Sequence, residues 1–257
     1  MDLNIQGKTA FIAASTAGLG KAIATALAAE GVNVIVTGRE GDIAKQVAAT
    51  FPSAIGIELD VTDADSRAAA LKAATAHFGT IDILVLNGPG PRATAATALT
   101  AEDVTDSYSR LVAPGHDLVS RVLPTMRAHG WGRIIAIGSS GIVSPLPNLA
   151  SSNLGRAALA GYLKTLSNEV ASDGVTVNLV LPGRIATDRV AQLDASQAER
   201  QGTTVAETKR LSEQAIPTGR YGKLEEFGAT ATFLCSDSAS YITGVALRVD
   251  GGLVRTL

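Results

Sequence analysis

A turn carrying two glycines, set between an apolar strand and an alanine-rich helix, constrains this chain more than anything else in it. Lys8-Thr9-Ala10-Phe11-Ile12-Ala13 reads as a short buried strand. Residues 21–30 contain neither Gly nor Pro, read as a helix, and are closed by Gly31. Between them lies Ala14-Ser15-Thr16-Ala17-Gly18-Leu19-Gly20. A helix start presents unpaired N–H groups and the positive end of the helix dipole, and glycines there let an anion approach the backbone closely. A second strand, Asn33-Val34-Ile35-Val36-Thr37, follows at the distance a βαβ unit requires. A bare tight turn would not carry that context, so the expectation is a nucleotide-binding turn.

Strand and helix patterns alternate along the rest of the chain, with no long linker, repeat or low-complexity stretch. That predicts one α/β domain built on a doubly wound, Rossmann-type parallel sheet, and 257 residues suit it. Apolar residues make up 46% of the chain, enough for a core on both faces of such a sheet. A formal net charge of -2 gives no electrostatic case for nucleic acid. No segment has the length of a membrane span and the start of the chain has no signal-peptide pattern, so the expected setting is cytoplasmic and away from membranes. The single cysteine, Cys235, lies in an apolar helical pattern and reads as core. His77, His116 and His129 stand apart from other metal-ligating residues, and no metal site is expected.

The turn resembles the short-chain dehydrogenase/reductase family, whose pattern is T-G-x-x-x-G-x-G. Gly18 and Gly20 match, while Ala13-Ala14 replace the leading Thr-Gly. Alanine does not easily take positive φ, so the first bend is expected to have ordinary dihedrals or a reshaped loop. The resemblance runs from the first strand to Tyr241–Gly252, near the end of the chain, and is nearest to the branch labelled 3-oxoacyl-carrier-protein-reductase-like. It implies a dinucleotide held by Ser15, Thr16, Gly18, Leu19 and Gly20. Asp60 and Val61 match the family's adenine-side pair, and Asn87 with Gly88 would flank the adenosine ribose. Pro182 and Gly183 match a loop beneath the nicotinamide, where Ile185 and Thr187 would meet the carboxamide and pyrophosphate. After the second strand stands Gly38 and not Asp, with Arg39 next; an arginine there favours a 2′-phosphate, so NADP(H) is expected over NAD(H).

The family's chemistry is carried by a serine at a strand end and a Tyr-x-x-x-Lys on the following helix. After Ser140 a long helical pattern runs to about Ala171. Ser139 fits the strand end, but the tyrosine position holds Ser152 and the lysine position Arg156. The place of the family's asparagine is Leu111, near a helix irregularity expected at Pro114-Gly115. Serine is a far weaker acid than a phenol, and arginine stays protonated, so neither substitute acts as a base unaided. Ser152 and Arg156 lie one helical turn apart, and Arg156 can hold the nicotinamide ribose or stabilise an oxyanion beside Ser139. The competing reading of Ser151 and Ser152 is a helix N-cap. Residues 184–215 are polar and charged and are expected to form a small helical lid or a solvated helical surface. Taken together, the expectation is an oxidoreductase moving a hydride between nicotinamide and a small carbonyl or alcohol. It would be a homotetramer or homodimer with Ser139, Ser152 and Arg156 as its catalytic set. The alternative is a nucleotide-binding scaffold or sensor that has lost turnover.

Overall fold

In a computed structural model that describes residues 2–256, seven parallel strands form one sheet in the order β3-β2-β1-β4-β5-β6-β7. The strands are β1 (Thr9–Ile12), β2 (Asn33–Gly38), β3 (Ala54–Glu58), β4 (Ile83–Leu86), β5 (Gly132–Ile137), β6 (Val175–Pro182) and β7 (Ala246–Val249). The helices are α1 (Gly18–Ala29), α2 (Gly41–Ala48), α3 (Ala64–Phe78), α4 (Ala101–Ser107), α5 (Ala113–Ala128), α6 (Ala150–Val170), α7 (Asp188–Gln201), α8 (Val205–Gln214) and α9 (Leu224–Leu234). The order of strands reverses between β1 and β4, so crossovers run to both faces and a crevice opens at their carboxyl ends. This is the doubly wound fold expected.

Because strand side chains alternate, each strand serves two cores. Phe11, Ile35, Leu84 and Ile134 face α3, α5 and α6, packing with Leu71, Leu118, Val122 and Leu163. Ile12, Val34, Ile83 and Ile135 face the other way, against Ile23, Leu27, Ala44, Phe227 and Leu234. Near-continuous apolar strands follow from burial on both faces. Glycines set how near the helices come: a Cβ on Gly228 of α9 would lie 2.6 Å from the Ala22 carbonyl oxygen of α1, and one on Gly56 would fall 2.2 Å from the α2 backbone. Cys235 is buried in the second core, which drives its thiol pKa up to about 12 and leaves it inert.

Three local expectations are corrected. Helix α1 starts at Gly18, so the glycines lie inside its first turn and not ahead of it. The single long helix expected after Ser140 is broken. A short 3-10 turn (Ser140–Ile142) and an exposed loop containing Pro145 and Pro147 precede α6, since neither proline can donate to a helix. The helix irregularity lies just before Pro114: Tyr108–Val112 form a π-turn in which the Ala113 N–H donates to the Tyr108 carbonyl. Proline has no N–H to give the Arg110 carbonyl, so the ladder slips by one residue.

Candidate active site

The phosphate turn is held open by its neighbours. Ala14 sits at φ +48°, against the expectation that alanine would avoid this region. Its N–H donates to Thr37 Oγ1 at 3.0 Å and its carbonyl accepts from Asn87 Nδ2 at 2.9 Å. Two bonds, one from β2 and one from the residue after β4, fix the peptide in the conformation a glycine would take freely. Ser15 completes the brace: fully buried, its hydroxyl donates to the Ile12 carbonyl at 2.8 Å and accepts the Thr37 N–H at 2.9 Å. The Ser15 side chain therefore shapes the turn from below, and Asn87 reaches the same turn from the end of β4.

The two motif glycines answer to different needs. Gly18 has φ +57° with open space where a Cβ would go, so it is there for its backbone angle. A Cβ on Gly20 would lie 2.6 Å from the Ala14 carbonyl and 2.9 Å from Asn87 Nδ2, so it is there for close approach. Helix α1 has no side-chain cap and no acidic residue in its first turn, so no side chain occupies its free N–H groups. By contrast α3 is capped by Asp63, α4 by Thr100 and α7 by Thr187. That open, positive helix mouth suits a pyrophosphate.

Along the rim, Gly38 packs under Thr16, whose Cγ2 would lie 2.6 Å from a Cβ there. Arg39 beyond it is exposed and free of ion pairs among the described residues. Asp60 accepts from the Thr62 hydroxyl and N–H, which hold its carboxyl below the usual range, with Arg39 and Arg110 adding to the effect. Val61 and Gly88 are in contact range, since a Cβ on Gly88 would sit 3.2 Å from Val61 Cγ2. On the other side, Gly183 lies so close to Asp250 that a Cβ would meet its Cα at 2.6 Å, and its N–H donates to Val249. Ile185 is buried, and Thr187 Oγ1 accepts the Val190 N–H at 3.2 Å as the cap of α7.

Ser139, half-buried at the end of β5, accepts the Gly141 N–H at 3.0 Å and keeps its own hydroxyl proton free for another acceptor. Ser151 and Ser152 are not N-caps: Leu149 holds that position and both serines lie in the first turn of α6. Ser151 Oγ is buried without a hydrogen-bond partner among the described residues. Arg156 Nε donates to Ser152 Oγ at 3.3 Å, while its Nη1 donates to the carbonyls of Ile137 and Gly138, both at 3.0 Å. The guanidinium is thus moored to the end of β5 and directs a lone pair of Ser152 inward, leaving the serine O–H as a donor. Burial lowers the pKa of Arg156 and the charge of Arg189 lowers it further. Arg156, Asn87, Arg110 and Leu111 line a cavity of about 30 Å³, room for a water molecule.

Leu111 is buried against α6, its Cδ1 2.8 Å from where a Cβ on Gly155 would be. It fills the place beside Arg156 with hydrocarbon and can relay no proton. Tyr162 is partly buried against the first core, which raises its phenol pKa, and its ring meets exposed His116 at 5.5 Å. Neither lines the cavity. Helix α7 is pinned: its buried Asp194 accepts from Arg184 at 2.6 Å and from the Tyr221 hydroxyl at 2.8 Å. No local pattern signals this latch, which joins residues 10 and 27 positions apart.

The chain is similar to known reductases over its whole length. A family model described as Enoyl-(Acyl carrier protein) reductase matches residues 13–254. The 3-oxoacyl-[acyl-carrier-protein] reductase FabG of Salmonella typhimurium is 35% identical, over 98% of this chain and 99% of that protein. The NADPH-dependent reductase BacG of Bacillus subtilis is 30% identical, over 97% and 99%. The crystal structure of L-sorbose reductase from Gluconobacter frateurii, complexed with NADPH and L-sorbose, superposes with a TM-score of 0.93 at 30% identity, covering 100% of both chains. On these grounds, and on the turn, the sheet order and the rim described above, the chain belongs to the short-chain dehydrogenase/reductase family.

Proposed function

We propose that the protein is an NADP(H)-dependent reductase that moves a hydride between nicotinamide and a small carbonyl or alcohol substrate, using Ser139, Ser152 and Arg156. The observation that carries this is the moored Ser152–Arg156 pair beside Ser139. The cofactor fits the residues present. The uncapped mouth of α1, with Gly18, Leu19, Gly20 and Thr16, would hold the pyrophosphate, and Arg39 the 2′-phosphate. Asp60, Val61, Asn87 and Gly88 would line the adenosine side, and Pro182, Gly183, Ile185 and Thr187 the nicotinamide side. When bound, NADPH supplies the hydride.

The chain's own groups handle the charge and the proton. Ser139 donates a hydrogen bond to the substrate oxygen. Arg156 faces the negative charge that develops there, from a partly buried position where water screens it less than at the surface. Ser152, its lone pair held by Arg156, donates its O–H in the same direction. A serine hydroxyl this weakly acidic passes on a proton only as it receives one, so solvent is the final source. The lid is the segment 184–215, fixed through Asp194, and it shapes access to the site. The protein assembles as a homodimer or homotetramer. Fully exposed Tyr241, exposed Leu247 at the sheet edge, and Val104, Tyr108 and Leu154 on α4, the π-turn and α6 support that assembly.

The test is NADPH oxidation against ketones, diketones and 3-oxoacyl thioesters, with nucleotide binding followed separately by fluorescence. Turnover lowered at least about a hundredfold by Ser139→Ala supports the mechanism, since one lost oxyanion donor costs that much. An unchanged rate removes Ser139 from it. NADPH binding without oxidation of any panel member favours the scaffold reading, for which the buried Leu111 and the absent phenol speak.

A further inference from the structure

Most arginines in this chain have a carboxylate partner: Arg67 with Asp117, Arg92 with Asp103, Arg184 with Asp194 and Arg220 with Glu226, among others. At the rim of the site three do not, among the described residues: Arg39, Arg156 and Arg189. Arg156 spends its hydrogen bonds on two carbonyls and a serine, none of which cancels its charge.

The position of Arg189 follows from the topology. It sits in the first turn of α7, just after β6, yet its Nη2 lies 3.9 Å from where a Cβ on Gly90 would be, in the loop after β4. Strand β5 lies between β4 and β6. A side chain that leaves the β6 side and reaches the β4 loop must pass over the carboxyl end of β5, where Ser139 stands. Arg189 therefore spans the crevice from α7 to the loop after β4, near enough to Arg156 that its charge adds to the burial that disfavours a proton there. Two guanidiniums of like charge, one of them largely buried, lack a counter-ion until one arrives with a ligand.

We propose that the substrate is an oxo acid, a small carbonyl compound whose carboxylate is gripped by Arg189 while its carbonyl oxygen lies between Ser139 and Arg156. The assignment rests on the reductase reading above and names its substrate class. A carboxylate matches the planar, forked donor set of a guanidinium, which a neutral ester or amide does not. The other source of negative charge is the cofactor's own phosphates, and the experiment separates the two.

Protein loaded with NADP⁺, which allows binding without carbonyl reduction, is titrated calorimetrically with 2-oxo and 3-oxo acids of graded length and with the methyl ester of each. NADPH affinity is measured in parallel by fluorescence. At least one acid is expected to bind about tenfold or more tightly than its ester, the size of a lost charge-assisted hydrogen bond. Arg189→Gln is expected to abolish that preference while leaving NADPH affinity within about threefold, a change below 1 kcal/mol. Arg189 is exposed, so the variant is expected to fold, and Arg189→Lys restores part of the preference. Three results overturn the assignment: no acid binds to protein that binds NADPH, the acid preference survives Arg189→Gln, or Arg189→Gln weakens NADPH tenfold and makes Arg189 a cofactor ligand. Failure to bind NADPH at all is a different signature and overturns the reductase reading itself.

Discussion

Replacing each motif glycine by alanine separates two reasons for the same residue type. In Gly20→Ala the new Cβ would lie 2.6 Å from the Ala14 carbonyl oxygen, an atom of the backbone that cannot swing aside. The carbonyl must retreat by several tenths of an ångström, and it is the acceptor for Asn87 Nδ2. Losing that hydrogen bond costs about 1 kcal/mol, and the overpacking adds about 2 kcal/mol. The sum, about 3 kcal/mol, lowers Tm by roughly 6 °C for a chain of this size. In Gly18→Ala nothing lies within 4 Å of the new methyl, and the only cost is a positive φ, about 1 kcal/mol or roughly 2 °C. Calorimetry gives both shifts, and NADPH titration gives the functional consequence. Gly20→Ala displaces the turn and weakens NADPH about tenfold or more, by an estimate equating one lost set of anion contacts with a charged hydrogen bond. Gly18→Ala changes it less. Equal effects of the two substitutions would refute the claim that close approach fixes Gly20.

Arg39→Ala is expected to weaken NADPH about tenfold and leave NADH unchanged, by loss of one charge-assisted phosphate contact; a parallel loss for both nucleotides would remove Arg39 from 2′-phosphate recognition. Asp194→Ala leaves the Arg184 guanidinium and Tyr221 hydroxyl without their acceptor, and about 3 kcal/mol of stability is expected to go with it, read by urea unfolding. Its substrate KM rises more than its kcat falls if α7 positions substrate. The Arg92 guanidinium, with the Thr100 N–H and hydroxyl, lowers the Asp103 carboxyl to about 2. A carboxyl lowered in the fold stabilises it above its unfolded pKa, near 4, and that contribution is lost as pH falls from about 4 to about 2. Asp103→Asn is expected to flatten acid sensitivity in that window; an unaltered acid unfolding curve would sink the assignment.

The fold was legible because its signals are local and repeated. Apolar strands buried on both faces, helices with glycine stops and a βαβ spacing are all written within short windows. What escaped depends on partners distant in sequence. The angle at Ala14 is set by Thr37 of β2 and by Asn87 just after β4, which propensity at residue 14 cannot see. The π-turn was anticipated as an irregularity but misplaced, because the missing N–H of Pro114 acts on a carbonyl four residues earlier. The break before α6 is written in Pro145 and Pro147, which end the helical pattern that the apolar spacing alone extends back toward Ser140. The Asp194 latch joins α7 to Arg184 and Tyr221 and had no local signal at all.

Ala14 bears on how far this turn can drift in sequence and keep its shape. A glycine there would be free to adopt φ +48° and equally free to leave it. The alanine is confined, and holding it in the left-handed region costs about 1 kcal/mol. The hydrogen bonds to Thr37 Oγ1 and Asn87 Nδ2 offset that cost, each contributing about 1 kcal/mol. Their removal therefore matters more here than it would beside a glycine. With Asn87 gone, the Ala14 peptide keeps its strain and loses one of the two groups that oppose it, and the carbonyl resting over Gly20 is free to turn. The same displacement that a methyl on Gly20 would force from one side then occurs from the other, so the order of the helix mouth depends jointly on Asn87, Thr37 and the bare face of Gly20.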